Sequence, residues 1–144
     1  MATIMRKMNI ISRCEGIYRT KRLSEDLQAT YHSYILAICH NPGMSQEEIA
    51  KHLCINKSTT ARHIAFLEKN GYIKREVCAQ DKREMLVYPS EKMLEILPEV
   101  VNITKEWNSL VSDGLTEEEL EFFHRILEKM VKKSTEIIYP GEKE

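Results

Sequence analysis

Residues 45–88 read SQEEIAKHLCINKSTTARHIAFLEKNGYIKREVCAQDKREMLVY and contain two short amphipathic segments followed by two strand-like runs. Ser45 and Glu48 have the spacing of a capping box, which predicts that a helix begins at Ser45. Asn56 is a favourable N-cap for a second helix, and Gly71 is placed to end that helix in a left-handed conformation. The short connection between the two segments has the length that a helix-turn-helix requires.

The second helix is predicted to have an apolar face and an opposite face of hydrogen-bond donors. The inward residues are Thr60, Ala61, Ile64 and Leu67, and the outward residues are Ser58, Thr59, Arg62, Phe66 and Lys69. Arg62 can bind a guanine edge with two hydrogen bonds, while Ser58 and Thr59 can bind bases or phosphates near the helix N-terminus. Further DNA contacts are expected from Asn56, Lys57 and His63. A polar stripe is also typical of any solvated helix, so the DNA-binding interpretation depends on the residues that follow.

Two runs rich in β-branched, aromatic and aliphatic residues, 72–78 and 84–88, follow the glycine and flank a polar segment. This pattern predicts a β-hairpin. Its tip offers Lys82 and Arg83 to phosphates or to a narrow minor groove, and Asp81 is expected to hold an arginine side chain by a charge-assisted hydrogen bond. A hairpin with a basic tip directly behind a helix of this kind predicts a winged helix-turn-helix that binds DNA.

Several short stretches of this region resemble the MarR family (multiple antibiotic resistance regulators) of bacterial transcription factors. They are MSQEEIA (44–50), NKST (56–59), LEKNGYI (67–73), DKR (81–83) and VYPS (87–90). The flanking helices match the family's layout, so the resemblance covers nearly the whole chain. It implies a homodimer whose recognition helices enter successive major grooves of double-stranded DNA while the wings reach adjacent minor grooves. Phe66 replaces the polar or charged residue usual in the family, and an apolar contact with DNA is expected there.

The predicted fold is mainly α-helical with a small β-hairpin wing. We expect one MarR-like domain over 1–144, in which 30–90 form the winged helix-turn-helix reader and 1–29 and 91–144 form dimerisation helices. These flanking segments carry more apolar residues than one small reader can cover, which predicts a two-fold dimer. Packing of the same helices within one chain is the alternative.

Local signals mark where the helices after the wing begin. Ser90 can cap the first of them, and Pro98 is expected to kink it because proline lacks a backbone donor. Thr116 and Glu119 form a second capping box at the start of the last helix.

The net charge of −1 is unevenly distributed along the 144 residues. Residues 1–44 hold six Lys or Arg against three Asp or Glu, and residues 45–90 hold eight against six. Residues 91–138 hold six against eleven. Binding of a polyanion depends on the local patch rather than on the total, so a neutral-to-basic DNA face remains compatible with this composition.

The sequence lacks the signals of several other protein classes. No apolar run approaches the roughly 20 residues of a membrane span, and the N-terminus lacks the apolar stretch of a signal peptide, so a cytoplasmic protein is expected. No phosphate-binding glycine loop, G-x-S-x-G or H-E-x-x-H sequence occurs, and therefore neither an enzyme nor a cofactor is predicted. A winged-helix module that docks on proteins without binding DNA is the alternative function.

The expected function is a repressor released by a signal, for which three candidates stay open. The resemblance implies a small aromatic or apolar ligand in a crevice between the dimer helices and the reader. Oxidation of Cys14 is the second candidate, similar to the peroxide-sensing branch of the family, with tyrosines expected nearby at Tyr18, Tyr31 and Tyr34. An inert core cysteine is the alternative reading of Cys14. A metal is the third candidate, through His32, Cys39, His40 or His124, but no histidine pair has helical spacing and no metal site is predicted.

Overall fold

The computed structural model describes residues 1–23 and 29–141 of the chain, which contain six α-helices and one small antiparallel sheet. The helices are α1 (Ile4–Arg22), α2 (His32–His40), α3 (Gln46–Leu53), α4 (Lys57–Lys69), α5 (Glu91–Val111) and α6 (Glu117–Ile138). The strands are β1 (Met44–Ser45), β2 (Ile73–Val77) and β3 (Met85–Pro89), and a 3₁₀ turn at Ala29–Tyr31 precedes α2. This arrangement confirms the predicted fold class. The chain forms two compact units, Met1–Trp107 and Asn108–Glu144, and the predicted division into reader and dimerisation helices stays a prediction.

The helix-turn-helix is capped as the sequence predicts. Ser45 Oγ accepts a hydrogen bond from the backbone N–H of Glu48 at 3.1 Å, and Asn56 Oδ1 accepts one from Thr59 N–H at 2.7 Å. Between the two helices, Cys54 adopts a left-handed backbone conformation with φ 53°. The chain therefore reverses within three residues, because a left-handed residue ends α3 and an asparagine cap begins α4.

The end of α4 is joined to the start of α5 across the hairpin. Gly71 has φ 78°, the left-handed conformation predicted for the residue after this helix. Ser90 Oγ donates to the Gly71 carbonyl at 2.6 Å and accepts from Met93 N–H at 3.3 Å, so the predicted cap of α5 also holds the end of α4. Lys92 Nζ donates to the Asn70 carbonyl at 2.8 Å. The start of α5, which follows the wing, is thus bonded to the end of α4, which precedes the wing.

The sheet has the strand order β1-β3-β2, so β3 is central. Val87 of β3 lies opposite Met44 on one side and Arg75 on the other. The sequence did not predict β1, because a two-residue strand is too short to show a periodic pattern. In the described residues β2 pairs only with β3, which makes β2 an edge strand of the wing.

One apolar core fills the unit Met1–Trp107. Its fully buried side chains include Tyr34, Ile35, Ile38, Ile49, Ile64, Leu67, Val87, Met93 and Val100. Phe66 was expected to point outward, and that prediction is wrong because its ring stacks on Tyr31 with centroids 4.5 Å apart and planes 6° apart. The 3₁₀ turn before α2 packs against this flank of α4. It provides a second apolar surface that a wheel of one helix cannot show.

Helices α1 and α6 expose several apolar side chains in the single chain. No residue of α1 is buried, and its exposed apolar residues are Ile4, Met5, Ile10, Ile11 and Ile17. The exposed apolar residues of α6 are Phe122, Phe123, Ile126, Val131, Ile137 and Ile138. The predicted capping box at the start of α6 is present, with Thr116 N–H 2.9 Å from Glu119 Oε2 and Glu119 N–H 3.1 Å from Thr116 Oγ1. Exposed apolar faces of this kind are typical of surfaces that bind a protein, a ligand or a membrane.

Candidate nucleic-acid interface

Six residues of α4 are exposed, and we name the four of them that follow one another at helical spacing the reading stripe. It consists of Ser58, Arg62, Ala65 and Lys69. Thr60, Ile64 and Leu67 on the opposite face are buried, so the two faces divide as helical periodicity predicts. The sequence analysis missed Ala65, although its position seven residues after Ser58 was a usable signal. A methyl group at this position can contact the methyl of thymine without obstructing its neighbours.

The first turn of α4 holds its polar side chains in one hydrogen-bonded group. Asn56 Oδ1 accepts from Thr59 N–H at 2.7 Å and from Ser58 Oγ at 3.0 Å. Arg62 Nη2 donates to Thr59 Oγ1 at 3.4 Å. The Asn56 oxygen is therefore engaged in capping the helix, and Thr59 orients Arg62. The structure brings these four predicted site residues together, while the bases that they bind stay a prediction.

Lys57 is linked to the helix before it. Its Nζ lies 3.0 Å from Glu47 Oε1 on α3, and both side chains are exposed. The hydrogen bond from Lys57 lowers the pKa of the Glu47 carboxyl, and the charge of the same lysine adds to this effect. An exposed pair of this type stabilises a fold little, so Lys57 can exchange Glu47 for a phosphate at small cost.

His63 faces the protein rather than joining the reading stripe. Its Nδ1 lies 2.8 Å from the hydroxyl of the fully buried Tyr34, and the rings of Tyr31 and Tyr34 meet it edge-on. Burial lowers the pKa of His63, and the charge of Arg62 lowers it further. The imidazole is therefore neutral at physiological pH, a state suited to packing against the protein and not to binding phosphate.

The wing presents two cations at its tip. Lys82 and Arg83 are exposed, and the strand ladder extends towards them through the bond from Cys78 N–H to the Glu84 carbonyl at 3.0 Å. Asp81 was expected to hold an arginine side chain. Its Oδ1 instead accepts from the backbone N–H of Arg83 at 3.0 Å. The correction has a local cause, because a short aspartate side chain at a turn reaches the backbone amide two residues further along. Asp81 thus shapes the tip through the backbone.

A cluster of three polar side chains at the base of the wing was not predicted from the sequence. Arg75 on β2 donates to both carboxylate oxygens of Glu68 on α4, from Nε at 2.9 Å and from Nη2 at 3.0 Å. Its Nη1 donates to Gln46 Oε1 on α3 at 3.3 Å. Three separate elements meet at one guanidinium, and no local spacing in the sequence indicates this contact.

The candidate signal sites have the following surroundings. Cys14 is exposed on α1, while the tyrosines expected beside it make contacts elsewhere: Tyr18 packs on Trp107, and Tyr34 bonds to His63. Among the described residues, no three His, Cys, Asp or Glu side chains are close enough to hold a metal ion. None of the helices that the structure describes is long and apolar enough to cross a membrane.

Comparison with known proteins places this site among transcription factors. A family model described as the MarR family matches residues 27–85. The crystal structure of the transcriptional regulator SlyA is 31% identical, with a TM-score of 0.86 over 94% of this chain and 96% of its own. A MarR family regulator from Listeria monocytogenes, crystallised with 26mer DNA, is 27% identical with a TM-score of 0.89 over 100% and 99% of the two chains. YybA of Bacillus subtilis (strain 168), an HTH-type transcriptional regulator, is 28% identical over 99% of this chain and 98% of its own length. These relatives are regulators rather than enzymes.

Proposed function

The chain belongs to the MarR family of transcriptional regulators, and we propose that it binds operator DNA as a homodimer and represses nearby genes until a signal releases it. Members of this family bind DNA and typically dimerise. The exposed apolar residues of α1 and α6 supply surfaces that a second copy can cover. Because the DNA of a prokaryotic cell lies in its cytoplasm, the proposal also places the protein there.

The reading stripe of α4 is the observation that carries this proposal. It is exposed, and its single arginine, which lies within 3.4 Å of Thr59 Oγ1, has the donors that bind a guanine edge. The exposed cations of the wing, Lys82 and Arg83, have the charge and reach to bind backbone phosphates or a narrow minor groove. Lys57 at the helix N-terminus is placed to bind a phosphate beside the positive end of the helix.

A selection experiment followed by two substitutions tests the proposal. The wild-type protein is first used to select duplexes from a random-sequence library, and the selected site is expected to have two half-sites about one helical turn, roughly 10 base pairs, apart. Arg62→Ala should then lose about 1–3 kcal/mol of binding free energy and relax the preference for one base. Arg83→Ala should weaken binding to all duplexes and reduce the slope of log affinity against log salt by about one for each wing.

Lys105→Ala is the control for both variants, because this lysine is an exposed cation on α5, outside the helix-turn-helix and the wing. It should bind the selected duplex as the wild type does. Wild-type affinity in both Arg62→Ala and Arg83→Ala would mean that neither element faces DNA. The protein-docking module would then be the better explanation of the fold.

We propose a small aromatic or apolar molecule as the releasing signal. The described residues of α2 and α3 line an open surface depression of about 250 Å³. Its lining combines the apolar Leu36 and Leu53 with the polar His40, Asn41 and His52. A mixed lining of this kind suits an aromatic carboxylic acid, which presents one apolar face and one anionic end. Titration of the protein–duplex complex with a panel of such acids should release the DNA.

A further inference from the structure

We infer that Arg75 is a positioning residue that fixes the direction of the wing relative to the recognition helix α4, an inference that rests on the proposed DNA binding. Arg75 bonds Glu68 with the two-pronged geometry in which guanidinium and carboxylate groups fit best. The third bond, to Gln46, adds α3 to the same cluster. The side chain of Arg75 is only 23% exposed, so the cluster is partly shielded from competing water.

The need for such a residue follows from the topology of the sheet. The central strand β3 is held by β1 through the pairs Met44–Val87 and Ser45–Leu86. The outer edge of β2 has no strand partner in the part of the chain that the structure describes. Arg75 lies in the middle of β2, and its bonds to α4 and α3 hold this strand. They therefore restrain β2, the edge strand that only β3 supports within the sheet.

The lever arm of the wing makes this restraint important for binding. From Arg75 to Asp81 the hairpin extends by at most about 20 Å, taking about 3.3 Å for each residue of strand. A rotation of about 10° at Arg75 would then move the tip by about 3.5 Å, whereas hydrogen bonds tolerate only about 0.5 Å of variation in length. A wing freed at this position would keep the charges of Lys82 and Arg83 but would hold them away from the phosphates that they bind.

None of the side chains proposed to contact DNA needs to touch Arg75 for this effect. Arg75 lies on the inner face of β2, between the buried Ile73 and the wing tip, and its guanidinium is engaged by protein groups. Glu68 lies on α4 outside the reading stripe. The cluster thus connects the two elements through residues outside the reading stripe and the wing tip, and its role is geometric.

A double-mutant cycle on the duplex selected by the wild type tests the inference. Arg75→Met should weaken binding at least as much as Arg83→Ala does, by about tenfold or more, because the contacts of both Lys82 and Arg83 are lost. In the Arg75→Met background, Arg83→Ala should cost no more than about twofold, because the wing contact is already lost. Hydroxyl-radical footprints of Arg75→Met should lose the protection under the wing and keep the protection under α4.

Lys74→Met is the matched control, because it removes one cation from the neighbouring exposed position of the same strand and leaves the cluster intact. It should bind within about twofold of the wild type, since the proposal gives Lys74 no contact with DNA. Glu68→Gln provides a second test that keeps Arg75 in place, and it should show the same footprint change with a smaller loss of affinity. The urea midpoints of all variants identify any that fail to fold.

Three results would overturn the inference. In the first, Arg83→Ala costs the same factor in the wild-type and the Arg75→Met backgrounds, which would make the two residues independent. In the second, Lys74→Met loses as much affinity as Arg75→Met, which would make the effect one of net charge. In the third, the wild type selects no duplex at all, which would overturn the proposed DNA binding and the inference together. The first two leave the DNA binding of the wild type in place, so the two failures are distinguishable.

Discussion

His32 at the start of α2 is buried in the unit Met1–Trp107, and its burial makes folding depend on pH. Only 5% of the residue is exposed, and its Nε2 lies 2.7 Å from Thr104 Oγ1 on α5. Burial is the main cause that lowers the pKa of His32 from 6.5 to about 4, and the charge of Arg19 adds to it. A hydrogen bond to the backbone of Val100 acts in the opposite direction. The folded protein therefore keeps this imidazole neutral.

The sign of the effect follows from proton binding in the two states. Between about pH 6.5 and about pH 4 the unfolded chain holds a proton on His32 that the folded chain does not hold. The stability that the neutral His32 gives the folded protein is therefore fully present above about pH 6.5 and is lost as the pH falls through this window. At about 1.4 kcal/mol for each pH unit, the whole window represents at most about 3 kcal/mol. Between about pH 7.5 and about pH 5, the free energy of unfolding should fall by about 2 kcal/mol because of His32.

Urea unfolding at a series of pH values and one fixed protein concentration measures this loss. Between about pH 7.5 and about pH 5, His32→Gln should lose about 2 kcal/mol less free energy of unfolding than the wild type, because glutamine does not titrate. His52→Gln, at an exposed position of α3, serves as the control and should follow the wild-type pH dependence. An identical pH dependence in His32→Gln and the wild type would refute the assignment of this window to the buried histidine.

Two further predictions concern the exposed helices. Phe123→Asp places a charge among the exposed apolar residues of α6 and should shift the protein from dimer to monomer in sedimentation equilibrium, while Lys129→Asp, which adds an aspartate at an exposed polar position of the same helix, should not. A dimer unaffected by Phe123→Asp would place the interface elsewhere. Cys14→Ser should keep both the DNA affinity and the peroxide response of the wild type, because in the described part of the chain Tyr18 packs on Trp107 and Tyr34 bonds to His63 rather than to this thiol. Peroxide that releases DNA from the wild type but not from Cys14→Ser would instead establish a redox sensor.

The features that the sequence predicted correctly are those determined by neighbouring residues. The caps at Ser45 and Asn56 and the left-handed Gly71 each involve groups no more than a few positions apart. Their geometry is therefore determined by residues that are close together in the sequence. The division of α4 into a buried and an exposed face followed equally from helical periodicity, because Ile64 and Leu67 repeat at the spacing of one turn.

The features that the sequence did not predict depend on contacts between distant segments. Phe66 belongs to the outward half of α4 on a helical wheel, yet the turn before α2 covers it with Tyr31. His63 forms a hydrogen bond with Tyr34, which lies 29 positions earlier in the chain. Arg75 and Gln46 are likewise 29 positions apart. No periodicity or capping rule describes such pairs, because they form only when complete elements pack together.

These distant contacts determine how α4 presents the reading stripe. The helix is held along its flank by His63 against Tyr34 and near its end by Glu68 against Arg75. Both restraints lie off the stripe, so the residues proposed to bind bases are not the ones that set the direction of the helix. Since a base contact depends on both chemistry and direction, substitutions at the restraints should change DNA affinity as surely as substitutions in the stripe. Base preference should distinguish the two groups, because only a stripe residue touches the bases that it selects.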